Sequence, residues 1–192
     1  KWFKPTAFFI NAARGEVVDT QALLAAITHQ QIGHTIIDVW EHEPAINWNL
    51  FQAVTLGTPH IAGHSLDGKA NGTFMIYAAL CKHLGVEPSW NPTQVLPPPI
   101  VPLTEIPANP SSKQEAIREV VTQCYDIQAD YHRMQALLAS PPHERPPLFD
   151  ALRTNYPIRR EYHRTTVKLA KRMSQLRQVL AGLGFSTIGG EN

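Results

Sequence analysis

Three pieces of the first third decide the fold: Ala7-Phe-Phe-Ile-Asn-Ala-Ala-Arg-Gly15, Thr35-Ile-Ile-Asp-Val-Trp-Glu-His-Glu-Pro44 and Val54-Thr-Leu-Gly-Thr-Pro-His-Ile-Ala-Gly63. Each is a short apolar run that ends in a polar turn. Residues 7–10 are continuously apolar, the pattern of a strand buried on both faces of a parallel sheet. Residues 35–39 give a second buried strand, and residues 54–56 a third, weaker one. Between the first two, Thr20 is placed to cap a helix on which Leu23, Leu24 and Ile27 share a face, ending near Gly33. A loop and a short helix around Leu50 and Phe51 lead to the third. Strand, helix, strand, loop, strand is the order of an α/β layer with parallel strands.

Outward from this layer, residues 65–85 have a helical pattern. Phe74, Tyr77, Ala78, Leu80, Cys81 and Leu84 keep an apolar stripe, and Gly85 stops it. Residues 86–111 are rich in proline (positions 88, 92, 97, 98, 99, 102, 107 and 110). Proline cannot serve in a central strand, so this is a linker or an edge strand in which Ile100, Val101, Leu103 and Ile106 can pair. From Ser112 to Ala139 the spacing predicts one long helix, with Ser112 and Glu115 as its capping box. Ile117, Val120, Val121, Cys124, Ile127, Tyr131, Met134 and Leu138 recur along it at three and four residues. A short helix at 148–152, a strand near Thr165-Thr-Val167, a helix at 170–183 and a strand at 185–188 complete the tail. The expected organisation is residues 1–64, 65–90 and 91–192, the last a small α+β module. On the long helix, Tyr125, Tyr131, Met134 and Leu138 are candidates for a two-fold interface.

Composition narrows the function classes. The 192 residues are 43% hydrophobic and 17% charged, with net charge +1. That balance gives no electrostatic argument for nucleic acid or an anionic membrane. No apolar run approaches the roughly 20 residues that span a bilayer. The nine histidines are scattered rather than grouped as a metal tract, so no metal is expected. Cys81 and Cys124 fit neither a disulfide framework nor a zinc site, and read as reduced thiols of a cytoplasmic protein. Lys1-Trp-Phe-Lys-Pro5 reads as the tail of an interrupted element, so the expectation is a truncated amino terminus without a signal peptide.

The chemistry is carried by one residue after each strand. Arg14, Glu43 and His60 stand at the carboxyl ends, where open α/β sheets bind ligands. Alone, each has a bland reading: a solvated arginine, a surface carboxylate, a turn histidine. Together they form a set. An arginine grips a carboxylate with two parallel donors. A histidine moves the proton of an alcohol. A carboxylate beside that histidine stabilises its protonated ring and fixes its tautomer. Oxidising an α-hydroxy acid by hydride transfer needs these three groups. Asp38, at the second strand end, is open to a plainer reading as a turn cap.

The ordered series Ile-Asn-Ala-Ala-Arg14-Gly, Asp38-Val-Trp-Glu-His-Glu43-Pro and Thr-Pro-His60-Ile-Ala-Gly63 is similar to the D-isomer-specific 2-hydroxyacid dehydrogenases, over residues 4 to about 64. The resemblance implies the carboxyl-terminal half of a doubly wound, Rossmann-type NAD-binding domain. It implies that Arg14 binds the substrate carboxylate, that His60 is the acid/base and that Glu43 pairs with it. It places Asp38 near the nicotinamide and Ala12, Ala13, Arg14 and Gly63 along the NAD. Residues 60–73 and the tail motifs Phe149-Asp150, Leu152-Arg153, Asn155-Tyr156 and Arg160-Glu161 resemble one branch of the family. That branch acts on a small phosphorylated hydroxy acid on the route to pyridoxal 5'-phosphate, and carries an added module through which it forms a homodimer. His64 stands where that branch has a tyrosine, a position that touches substrate, and Lys69 reads as a solvated helix lysine or a phosphate contact. Relatives of the glyoxylate, hydroxypyruvate or phosphoglycerate type, and a co-repressor-like binding protein on the same fold, are the competing readings. The family's glycine-rich phosphate turn, with an acidic residue about 20 positions later, does not occur in this sequence. These residues alone are therefore expected to hold half of a cofactor site and not to turn over.

Overall fold

The computed structural model describes residues 3–92 and 95–190. The chain divides into two compact units that interleave in sequence. The first is Lys1–Ala62 with Ile127–Pro157; the second is Gly63–Asp126 with Ile158–Asn192. This division differs from the segments 1–64, 65–90 and 91–192 that the sequence suggests. The proline-rich stretch lies within the second unit, and residues 127–157 return to the first.

The first unit is built on a parallel sheet of β1 (Phe9–Asn11), β2 (Thr35–Ile37) and β3 (Leu56–Gly57), in that spatial order. Parallel strands need a crossover. Helix α1 (Thr20–Thr28) supplies the first and α2 (Trp48–Ala53) lies in the second. The cap of α1 is Asp19, whose carboxylate accepts the Ala22 N–H, and not Thr20 as the pattern suggested. Thr20 cannot cap because it is already the first helical residue, and its own N–H goes to Glu41 (2.8 Å). Strand β1 also differs from expectation. Phe9 packs toward the core, whereas Phe8 and Ile10 are exposed, because only one face of this strand is covered.

The long helix expected over 112–139 is two helices, α4 (Lys113–Cys124) and α5 (Ile127–Ala136). Tyr125 adopts an extended backbone between them. Helix periodicity runs through the break because two stripes serve two cores. Ala116 and Val120 are buried in the second unit, with Ile117, Val121 and Cys124 packed against them. Tyr131, Met134 and Leu138 join Leu50, Phe51 and Val54 in the first. Tyr125 lies under the Arg159 guanidinium, 4.5 Å from its ring centre. Tyr131, Met134 and Leu138 are therefore not a free two-fold patch: Met134 is fully buried, and Tyr131 stacks at an angle on Phe51. Burial of side chains like Met134 and Phe149 contributes about 2 kcal/mol each. Helix α6 (Arg145–Thr154) brings Phe149 to the same core. Asp130, fully buried on α5, ties the pair through Arg133 and the Tyr156 hydroxyl.

The second unit opens with α3 (Leu66–Leu84), stopped by Gly85 in the left-handed region, φ 68°. Cys81 is buried, while Leu80 and Leu84 of the expected stripe are exposed. Its sheet is β4 (Leu103–Glu105), β5 (Thr166–Ala170) and β6 (Ser186–Gly190). All three strands are parallel, with β4 at an edge beside the prolines. The expected α+β tail is thus a parallel layer. Helix α7 (Ser174–Gly182) is long enough to make the β5–β6 crossover, so the strands need not run back on each other. Both cysteines are free thiols, and no described helix is long and apolar enough to cross a membrane.

Gly15, after β1, fixes how the first unit's loops close. A Cβ there would sit 2.0 Å from the Trp40 carbonyl oxygen, so only glycine allows this approach. Gly15→Ala is expected to destabilise the protein by on the order of 3 kcal/mol. Gly72→Ala, on α3 with nothing within 4 Å, should stabilise it by about 0.5–1 kcal/mol. Urea unfolding of the two variants checks both.

Candidate active site

Because β1, β2 and β3 are parallel and adjacent, Asn11, Asp38 and Thr58 emerge at the same sheet edge. Asn11 ends β1 and closes a tight loop. Its side-chain amide donates to the Arg14 carbonyl (3.0 Å), and its side-chain oxygen accepts the Ala13 N–H (3.1 Å). Ala12, Ala13 and Arg14 are exposed on this loop. Arg14 Nη1 donates to the Ala13 carbonyl at 2.7 Å.

Asp38 is 5% exposed and faces the turn after β3. Its Oδ1 accepts the Thr58 hydroxyl (2.6 Å) and the Ile61 N–H (2.9 Å), and its Oδ2 accepts the Ala62 N–H (2.9 Å). Its backbone carbonyl accepts the His60 N–H at 2.7 Å. These bonds hold His60 at φ 57°, a left-handed conformation that costs a non-glycine residue about 1–3 kcal/mol. Bonds to an ionised acceptor contribute about 1.5–3 kcal/mol each, enough to offset it. The reading of Asp38 as a cofactor contact thus meets a carboxylate already engaged by three donors.

His60 Nδ1 lies 2.7 Å from Glu43 Oε2. Both side chains are about a fifth exposed, 24% and 18%. Glu43 Oε1 accepts the Trp40 N–H at 2.8 Å, which fixes the carboxylate from its other side. A carboxylate only accepts, so Nδ1 carries the proton and Nε2 is left without it. Trp40 and Thr58 were not singled out by residue type. Their role depends on distances between loops, which sequence spacing does not encode.

Residues 1–62 match the model of the D-isomer specific 2-hydroxyacid dehydrogenase, NAD binding domain. The dehydrogenase segment is followed by a match to a domain of unknown function (DUF3410) at residues 95–184. The whole chain is similar to erythronate-4-phosphate dehydrogenases. It is 40% identical to that of Marinobacter nauticus over 176 residues, 92% of this chain and 46% of the relative. It is 42% identical to that of Cellvibrio japonicus over 188 residues, 96% and 50%. It is 38% identical to one from Pseudomonas putida over 182 residues, 94% and 47%. The chain spans about half the length of the curated relatives it matches. The parallel α/β layer of the dehydrogenase segment agrees with a Rossmann-type domain.

Gly63, His64 and Lys69 fall in the second unit. Gly63 is exposed at φ 75°, and Lys69 Nζ lies 2.7 Å from His64 Nε2. Next to them, Asp67 is 1% exposed at the start of α3. It accepts from Arg160 Nε (2.8 Å) and Nη2 (3.0 Å), Arg164 Nε (3.0 Å) and the Glu161 N–H (2.9 Å). Ser65, the helix cap, also donates to Glu161. Burial alone would raise the Asp67 carboxyl. The bonds from Arg160, the Glu161 N–H and Arg164 outweigh it and hold the group far below its usual 3.8.

Two outcomes follow from these geometries. Asp38→Ala strands the Thr58 hydroxyl and the Ile61 and Ala62 N–H groups, so stability should fall by on the order of 3 kcal/mol. Amide exchange at residues 61 and 62 should accelerate, as read by NMR. For Asp67, the folded state binds its proton more weakly than the unfolded chain does, so stability rises with pH. The contribution is complete above about pH 4 and is lost as pH falls through the depressed folded-state value. Asp67→Asn should flatten that acid limb in urea unfolding measured from neutral pH to about pH 3.

Proposed function

We propose that this chain supplies the acid/base and carboxylate-binding residues for NAD-dependent oxidation of 4-phospho-D-erythronate. The product is 2-oxo-3-hydroxy-4-phosphobutanoate, a step in pyridoxal 5'-phosphate biosynthesis. The observation that carries the reading is the His60–Glu43 pair (2.7 Å) at the sheet edge it shares with Arg14. The relatives' activity as erythronate-4-phosphate dehydrogenases supports the substrate. His60 Nε2 takes the proton of the substrate 2-hydroxyl as the C2–H bond gives up its hydride and C2 becomes a carbonyl. Glu43 holds the ring and stabilises the resulting imidazolium. Arg14 would grip the C1 carboxylate with its planar donors, which would orient C2 for hydride loss. NAD, when bound, supplies the hydride-accepting C4 of its nicotinamide.

The residues fit such a cofactor. Ala12 and Ala13 are small and exposed beyond β1, a surface on which a flat ring can lie. Asp38 is assigned a place near the nicotinamide by the family resemblance, and its carboxylate also serves the His60 turn. The family resemblance assigns Gly63 to the cofactor and His64 to the substrate. In this reading the carboxyl-terminal part of the chain mediates dimerisation, so the protein works as a homodimer. It works in the cytoplasm, where Cys81 and Cys124 stay reduced.

The test uses the full-length protein that contains these residues, with NAD and 4-phospho-D-erythronate. His60→Ala should lower kcat by about 10²–10⁴-fold. Arg14→Ala should raise KM for the acid. Wild-type rates retained in His60→Ala would refute the assignment.

A further inference from the structure

We propose that Trp40 is a positioning residue that holds the three active-site loops in register. The proposal rests on the function assigned above and concerns how its residues are held. Trp40 is 3% exposed and touches each loop through a different group. Its backbone N–H donates to Glu43 Oε1 (2.8 Å), the carboxylate oxygen that His60 does not use. Its indole Nε1–H donates to the Thr58 carbonyl (3.0 Å), two residues before His60. Its backbone carbonyl abuts Gly15, the neighbour of Arg14, so closely that a Cβ would lie 2.0 Å away. The ring itself is wedged against Phe51, with centroids 5.8 Å apart, and against Gly57, where a Cβ would sit 2.8 Å from the indole and from Phe51.

A phenylalanine would keep most of this packing, because it presents a similar apolar face. It would lose the indole donor, which is the link to the His60 turn, together with the part of the ring that packs at Gly57. The buried Thr58 carbonyl would then lack that partner, and the turn would shift to find another. The His60–Glu43 bond depends on both ends being placed, and Trp40 fixes Glu43 from one side and the turn from the other. A loss of the indole donor therefore acts on the dyad without touching either of its members.

The experiment follows the His60 Nδ1 proton in the 192-residue chain by NMR, where a proton shared with a carboxylate resonates far downfield. Glu43→Gln is the reference that removes the acceptor. Phe51→Leu is the packing control, which perturbs the same core and leaves the indole donor in place. The proposal expects Trp40→Phe to weaken or lose the downfield signal while Phe51→Leu keeps it, even though both lower the Tm. A signal kept in Trp40→Phe and lost in Glu43→Gln overturns the positioning role alone. A signal unmoved by Glu43→Gln means the dyad is not formed, and overturns the proposed function together with this inference. If Trp40→Phe does not fold, benzothienylalanine at position 40 keeps the ring volume and lacks the N–H. The same loss then supports the proposal, and a retained signal overturns it.

Discussion

The Asp38 carboxylate is the interaction on which the dehydrogenase segment depends. It stands at the end of β2, the central strand, and accepts from Thr58, Ile61 and Ala62 beyond the end of β3. Without those bonds His60 has no reason to hold a left-handed backbone, and its ring would not meet Glu43. A small group of charge-assisted bonds thus converts sheet order into side-chain geometry. The cost of burying Asp38 is offset because its carboxylate oxygens are paired with donors fixed by the sheet itself.

The neighbouring residue Trp40 completes the arrangement from the other side. Asp38 holds the His60 turn through its side chain, and Trp40 holds Glu43 and Thr58 through two N–H groups. Gly15 and Gly57 make room for it. The four residues Asp38–Glu41 therefore set more of the site's geometry than Arg14, Glu43 and His60 do themselves. Glu41 extends this inward by accepting the first N–H of α1, a favourable place for a carboxylate at the positive end of a helix.

Much of this was legible in the sequence, and what was not has a common cause. Apolar runs ending in polar turns are local signals, and they place β1, β2 and β3 and the helices between them. Arg14, Glu43 and His60 stand out by residue type and by their positions after strands. The exposed Phe8 and Ile10, the cap at Asp19 and the break at Tyr125 depend on which surface each element meets. The helix break shows this most clearly. The spacing from Ile117 to Leu138 is continuous, yet Val120 and Met134 are buried in different cores. Periodicity reports that a residue is covered and does not report by what. Thr58 and Trp40 were silent for the same reason, since a hydroxyl and an indole acquire a role only when loops approach within 3 Å.

The account reduces to one arrangement, a histidine whose Nδ1 proton is held by Glu43 so that Nε2 is free for substrate. The measurement that tests it most directly is the ¹⁵N chemical shift of both His60 ring nitrogens in the neutral form, assigned against His60→Asn. The account predicts a protonated Nδ1 and a bare Nε2. A neutral ring protonated mainly at Nε2 would contradict it, because the nitrogen meant to take the hydroxyl proton would already hold one.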